Sequence, residues 1–248
     1  MVYRLFLTLG VLFSTLSSWG VSPPDMEALR DSISDASSRY YYPILMDRYV
    51  MNDSTLTLED YHYLYYGYTE QINYMPLLDN SARSELESIM SGQSNPTVAD
   101  YERAVALVRA ILEIEPFNPR DINALAYLYA MTGYEDEAAI LAHRLRMIVT
   151  TIKETGTGLS KDSPWWITYF SHAEDLVALE GLEQGQPIIL SSSIEFVPVS
   201  KMPNRKDKGL YFNYSLIYEK DADYLENIDA PKRKMNWNPL EPATKFRY

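Results

Sequence analysis

Apolar side chains recur at helical spacing throughout residues 98–150, and this periodicity limits the possible fold more than any other feature of the sequence. Ala104, Val108 and Ile111 lie four and three residues apart, and Pro116 predicts where their helix ends. A second helix continues the spacing with Ile122, Leu125, Ala126 and Tyr129. The periodicity therefore predicts consecutive amphipathic helices whose apolar faces need packing partners.

Small residues and a glycine predict how these helices pack. Gly133 allows a tight turn four residues after Tyr129, and Ala138 follows in the next helix. Ala104 and Ala138 are 34 residues apart, and the whole pattern resembles the tetratricopeptide repeat. It covers about one and a half repeats, whereas a solenoid needs about three. We therefore expect a small helical domain with tetratricopeptide-like packing over residues 21–155.

Tyrosine is the most unusual component of the chain, which has 21, and many lie in or near one predicted helix. Thr57 is a suitable N-cap for this helix, and Gly67 predicts its end. Three tyrosines share the apolar stripe of the helix and are expected in the core: Tyr61, Tyr65 and Tyr68. Tyr63 and Tyr66 point away from the stripe, and exposed rings there would form a platform for a peptide or a sugar.

The second half of the chain changes from helical to strand patterns after a glycine-rich break at Thr155–Gly158. Trp165–Phe170 contains aromatic and β-branched residues, which favour a strand. Ser171 and Glu174 then have the spacing of a capping box, and this predicts a short helix that begins after Ser171.

Two extended runs around a polar turn predict an antiparallel hairpin. Ile188–Val199 precedes the turn at residues 203–209, and apolar residues alternate along Leu210–Tyr218 after it. We therefore expect residues 156–229 to be mixed, with a small antiparallel sheet. Packing of the helical domain on this sheet gives an α+β fold.

The two ends of the chain differ in character from the body. Residues 1–20 combine one Arg, an apolar run and small residues before Gly20, as in a secretory signal peptide. The apolar run is shorter than the ~20 residues that cross a bilayer. The chain has no cysteine, so a lipid anchor, disulfides and thiolate chemistry are excluded. We expect an exported protein of the periplasm, the cell surface or the medium, with an irregular tail at residues 230–248.

Charge is unevenly distributed along the chain. Residues 21–199 carry 11 Lys and Arg against 27 Asp and Glu, whereas residues 200–248 carry 10 against 7. The acidic body would repel phosphate backbones, so we expect no nucleic-acid partner.

Candidate catalytic groups are few, since His62, His143 and His172 are the only histidines in the sequence. No nucleophile elbow and no His-Glu-x-x-His motif is present, and no motif indicates a metal or another cofactor. The enzymatic alternative is a hydrolase of envelope or host polymers that uses His172 and a nearby carboxylate.

Three stretches occur in an order that resembles a known family. They are residues 54–61 with Leu-Tyr-Tyr-Gly-Tyr at 64–68, residues 118–133, and Gly-Leu-Tyr-Phe-Asn at 209–213. The order resembles an exported family from Bacteroidota, the domain of unknown function numbered 4919, over roughly residues 43–218. The resemblance implies export and a tetratricopeptide-like part, with no known activity and no catalytic residues.

These observations favour a non-enzymatic binding module of a bacterial envelope, with a protein or peptide as the partner. The tyrosine helix and the Gly209 strand are the segments most particular to the family, and we expect a shared site there. The candidate binding residues are Tyr61, Tyr63, Tyr65, Tyr66, Tyr68, His172, Tyr211 and Asn213. The oligomeric state and the ligand stay open.

Overall fold

The computed structural model describes residues 22–77, 81–92, 97–200 and 209–220. The expected signal peptide, most of the polar turn at 203–209 and the expected tail lie outside these residues. Within them, no helix combines the length and the apolar character needed to cross a membrane.

Helices make up most of the first part of the fold. They are α1 Met26–Ser34, α2 Tyr42–Val50, α3 Leu58–Gly67, α4 Ser81–Gly92, α5 Val98–Ile114, α6 Pro119–Met131, α7 Glu135–Lys153 and α8 Ser171–Leu179. Residues 26–50 form two helices and not one, because Pro43 lies in the first turn of α2. Proline has no backbone N–H. In the first turn of a helix that N–H would have no partner in the helix, so proline is tolerated there and often begins a helix.

The start of α3 confirms the predicted N-cap. The Thr57 hydroxyl accepts from the Asp60 N–H (3.2 Å), and the Asp60 carboxylate accepts from the Thr57 N–H (2.8 Å). Arg39 then donates to Asp60 (3.0 Å), which attaches the α1–α2 connection to this helix. A second reciprocal cap, between Thr97 and Asp100, begins α5.

Helices α5, α6 and α7 pack on one another in chain order, and α7 also packs on α3. Short connections between consecutive helices favour antiparallel packing. Gly133 has φ +86° in the α6–α7 turn, which explains the glycine there. Ala104 is buried, whereas Ala126 and Ala138 are partly buried.

The second part of the fold contains a small mixed sheet. Its strands are β1 Trp165–Trp166, β2 Glu183–Gln184, β3 Ile188–Ile189, β4 Ile194–Ser200 and β5 Gly209–Asn213. The strand order is β1-β5-β4-β2, and β3 also pairs with β4, on the same side as β2. The α+β class and the antiparallel β4–β5 hairpin are thus confirmed.

One pairing corrects the expectation of a purely antiparallel sheet, because β1 runs parallel to β5. The chain between these strands forms α8, β2, β3 and β4, so no tight turn forces them to be antiparallel. The extended run Ile188–Val199 is also divided, by a turn at residues 190–193. Trp165–Phe170 forms a strand only in its first two residues.

The predicted strand Leu210–Tyr218 ends at Asn213, and residues 215–220 are helical. The Asn213 side chain accepts from the Ser215 N–H (2.8 Å), which turns the chain. Tyr214 and Ile217, three residues apart, are buried as a helix would bury them. Alternation in the sequence did not reveal this turn, because it depends on one side-chain hydrogen bond.

The capping box predicted at Ser171 is wrong. Phe170 is the N-cap of α8 and already has helical dihedral angles, and no side chain caps this helix. The Ser171 hydroxyl instead accepts from the Asn118 amide (3.3 Å), and Glu174 accepts from Arg120 (3.1 Å). Both side chains therefore bond to residues in α6 or at its start.

A continuous hydrophobic core includes residues from the helices and the sheet.

Candidate functional site

The tyrosines of α3 lie deeper in the protein than the sequence predicts. Tyr61, Tyr65 and Tyr68 are buried, which confirms their expected place in the core. Tyr66 was expected to be exposed, but its exposed fraction is 0%. The reason is that α3 packs against helices on more than one side, namely α1, α2 and α7. Tyr66 is therefore not part of an open aromatic face.

Two tyrosine hydroxyls connect α3 and the chain after it to β1 and the segment that follows β1. Tyr66 donates to the Trp166 carbonyl (3.0 Å), and Tyr74 donates to the Thr168 carbonyl. Burial raises the pKa of both phenols far above the ordinary value of 10. Both stay protonated, so they remain donors over the physiological pH range.

His172 is fully buried at the centre of this arrangement. The Tyr65 hydroxyl accepts from the Thr168 N–H (3.3 Å) and lies 2.7 Å from His172 Nδ1. Because the phenol oxygen accepts from Thr168, its O–H group can donate a hydrogen bond to Nδ1. A neutral imidazole that accepts at Nδ1 carries its own proton on Nε2. Burial lowers the pKa of His172 to about 3, and the positive charge of Arg83 contributes to the shift. The ring is thus neutral at physiological pH.

Carboxylates and guanidinium groups form a partly buried network beside His172. Arg83 on α4 donates to both oxygens of Asp121 (3.1 and 2.9 Å) and to Glu115 (3.1 Å). Asn118 also donates to Glu115 (2.9 Å). Burial raises the pKa of Asp121, and Arg83 opposes that shift. The network therefore links α4 to the connection between α5 and α6.

A second ion pair links α6 to α8. Arg120 Nε donates to Asp175 Oδ1 (2.6 Å), while the other carboxylate oxygen of Asp175 has no partner among the described residues. Burial raises the pKa of Asp175 to about 6, with Arg120 acting against the shift and Asp121 adding to it. His172 Nε2, one turn earlier on α8, also lacks a partner within the described part of the chain.

The acid and base groups of this arrangement are buried. His172, Asp121 and Asp175 are all buried. Catalysis by proton transfer requires a group within hydrogen-bond reach of the substrate. The described residues hold no cluster of three or more His, Asp or Glu side chains suited to a metal ion. The network holds helices together.

The face of the sheet that points away from the core is partly exposed to solvent. The strand register aligns Ile188, Phe196 and Tyr211 in one row across β3, β4 and β5. Ile188 is 49% exposed, and the other two side chains are partly exposed. The Phe196 and Tyr211 rings are 4.9 Å apart. We call these three side chains the outer row. The alternate residues Val197, Leu210 and Phe212 point to the core and are buried.

A family model described as a domain of unknown function (DUF4919) matches residues 27–222. The chain belongs to the DUF4919 family. No curated protein and no solved structure matches it.

The DUF4919 chain brings some of the predicted site residues to the surface and not others. Tyr211 lies in the outer row, and Tyr63 is half-buried in a stack with Tyr40 (3.8 Å between ring centroids). Asn213 is buried and turns the chain after β5, and His172 is buried beneath the helices. The structure therefore brings Tyr65 and His172 into contact in the core, while Tyr63 and Tyr211 are partly exposed.

Sequence reasoning missed two members of the outer row, Ile188 and Phe196. Their signal is cross-strand alignment with Tyr211, which needs the register of two hairpins.

A shallow cleft of about 180 Å³ lies at another place in the DUF4919 fold. Its lining residues are Arg30, Thr69, Glu70, Leu216, Glu219 and Lys220. Arg30 and Glu70 form an ion pair (3.2 Å), and Lys220 lies 3.9 Å from Glu70. The charges of this cleft thus largely pair with one another.

Replacement of Tyr65 by Phe tests whether the hydrogen bonds of the Tyr65 hydroxyl stabilise the fold. The variant leaves the Thr168 N–H and His172 Nδ1 without a partner, so we expect a loss of about 2 kcal/mol in the free energy of unfolding. Urea unfolding measures this loss. Tyr68→Phe is the matched control, because it frees only the Ile114 carbonyl at a helix end. Equal losses in the two variants would contradict the role of the Tyr65 hydroxyl.

Proposed function

We propose that this DUF4919 chain is an exported, non-enzymatic binding module of a bacterial envelope, and that the outer row is part of its binding surface. The observation that carries the proposal is the alignment of Ile188, Phe196 and Tyr211 on the face of the sheet opposite the core. Partly exposed aromatic and aliphatic side chains in contact are typical of binding surfaces.

Export is proposed from the sequence of residues 1–20, and the Bacteroidota origin from the family resemblance. The tetratricopeptide-like nature of α5–α7 is proposed from the 34-residue spacing of Ala104 and Ala138 and from the packing of consecutive helices. Such helix pairs commonly present surfaces to peptides, which agrees with a binding role.

The burial of His172 favours binding over hydrolysis. Its ring is closed off from solvent, and burial lowers its pKa to about 3, so it is a poor base at neutral pH. Asp175 is buried as well and bonded to Arg120. A hydrolase reaction through these residues would require the core to open.

Recovery of a partner from an envelope fraction of a Bacteroidota host tests the proposal. We expect a reproducible partner with the parent chain and at least about tenfold less of it with Tyr211→Ala, at an unchanged thermal midpoint. Tyr127→Ala is the control, because this exposed ring lies on α6, which packs on α5, α7 and α8. Loss of the partner only in Tyr127→Ala would place the binding surface on α6 and contradict its place on the outer row. His172-dependent hydrolysis of an envelope polymer would contradict the proposal.

A further inference from the structure

The strand β3 forms an open edge of the sheet beside the outer row. Both β2 and β3 pair with the same side of β4, and no described strand covers their other side. Ile188, Ile189 and Leu190 are 49%, 72% and 48% exposed. Three consecutive exposed aliphatic side chains at a strand edge are unusual in a soluble domain.

Backbone groups of Ile189 point outward from this edge. The Leu190 N–H donates to the Ile194 carbonyl (2.9 Å) at the end of the β3–β4 hairpin. Residues of an antiparallel pair alternate between inward and outward bonding, so Ile188 bonds to β4 and Ile189 does not. Within the described part of the chain no strand pairs with the Ile189 N–H and carbonyl, so a further strand can bond to them.

The edge lacks the charges that normally protect such strands. No charged residue occurs from Gln184 to Ser193. Natural edge strands usually carry Lys or another charged residue that prevents strand addition. Pro187 precedes β3 and limits an added strand to the segment that follows it.

An acidic residue lies beside the edge, because Glu195 on β4 is the register partner of Ile189. Residues 162–200 contain six Asp and Glu and no Lys or Arg. Arg120 and Lys153 pair with three of these carboxylates, which lie in α8 or directly after it. A second copy of the chain would bring the same negative charge to the edge. Charge complementarity therefore favours a cationic partner.

We propose that an extended segment of a partner protein, rich in Lys or Arg, adds to β3 as a further strand. Its backbone pairs with Ile189, its apolar side chain beside Ile188 extends the outer row, and its cations lie on the face that carries Glu195. This inference rests on the proposed function and gives its partner a chemical class.

Binding of labelled synthetic peptides to the full chain, measured by fluorescence anisotropy, tests the proposal. The probe is a short peptide of alternating valine and lysine. One control replaces lysine by glutamate, a second keeps the charge but replaces alternate valines by proline, and a third is N-methylated along one edge. We expect the probe to bind at least about tenfold more tightly than each control.

Variants of the chain test the backbone contact directly. Ile189→Pro removes the outward N–H without removing a bond to β4, so we expect at least about tenfold weaker probe binding and an unchanged thermal midpoint. Ile189→Thr keeps the N–H and a β-branched side chain, and about threefold weaker binding is expected. The N-methylated peptide gives the same test on the parent chain if the proline variant unfolds.

Four outcomes would overturn the strand addition. One is equal binding of the valine–lysine and proline-containing peptides, which would show attraction of charge alone. The second is an Ile189-dependent dimer in sedimentation, which would place a second copy on the edge. The third is an envelope partner that is lost with Tyr211→Ala but kept with Ile189→Pro, which would leave the proposed function standing. A partner kept by both variants would contradict both proposals.

Discussion

An Asp175→Asn variant is expected to lose stability on acidification more steeply than the parent chain, by about 1.4 kcal/mol for each pH unit between pH 6 and pH 4. The reason is that Asp175 and His172, one turn apart on α8, change the stability in opposite directions over this range. Their contributions follow from the shifts of their pKa values on burial.

His172 makes the protein sensitive to acid. Its pKa falls from 6.5 to about 3 on folding, because burial disfavours the charged ring. Between these values the unfolded chain holds one more proton than the folded chain. The free energy of unfolding therefore decreases as the pH falls from 6.5 towards 3.

Asp175 acts in the opposite direction. Its pKa rises from 3.8 to about 6 on folding, because burial disfavours the carboxylate. Between these values the folded chain holds the extra proton, so the free energy of unfolding increases as the pH falls. The two contributions cancel where the ranges overlap, and asparagine leaves the His172 contribution alone.

Urea unfolding at a series of pH values measures this effect as the difference between variant and parent. The difference should change by about 3 kcal/mol from pH 6 to pH 4. Glu174→Gln is the matched control, because Glu174 contacts the same Arg120 and its side chain is 55% exposed. We expect its profile to parallel that of the parent. A parallel profile for Asp175→Asn would contradict the raised pKa of Asp175 in the folded chain.

Local signals in the sequence predicted much of the fold. Thr57 capped α3 as expected, Gly133 formed the α6–α7 turn, and the β4–β5 hairpin has the expected direction. Each of these features depends on residues close together in the chain, so propensity and spacing are sufficient.

The site was less predictable, because burial depends on how many neighbours an element has. Periodicity in α3 identified one apolar stripe, but helices on several sides bury Tyr66 as well. Ser171 had the spacing of a cap, yet its hydroxyl accepts from Asn118, the N-cap of α6. The outer row also combines residues of separate strands. None of these arrangements has a signature within a single segment.

The glycine-rich break at Thr155–Gly158 packs closely against the chain that leads into β1. The Trp165 indole donates to the Gly156 carbonyl (2.9 Å), and the Trp166 N–H donates to the Thr155 hydroxyl (2.9 Å). These bonds bring the break against the start of β1. A Cβ at Gly156 would overlap the Pro164 carbonyl oxygen and lie 2.6 Å from the Ser163 carbonyl oxygen.

Gly156→Ala is therefore expected to lower the free energy of unfolding by about 3–4 kcal/mol, since backbone atoms on both sides must move. Gly181→Ala is the matched control. It has φ +69° and no atom within 4 Å of the added Cβ, so only backbone strain of about 1 kcal/mol applies. Urea unfolding of both variants separates the two effects. A loss for Gly156→Ala no greater than that of the control would show that the turn shifts freely, and that the bonds of Trp165 and Trp166 do not hold β1 in place.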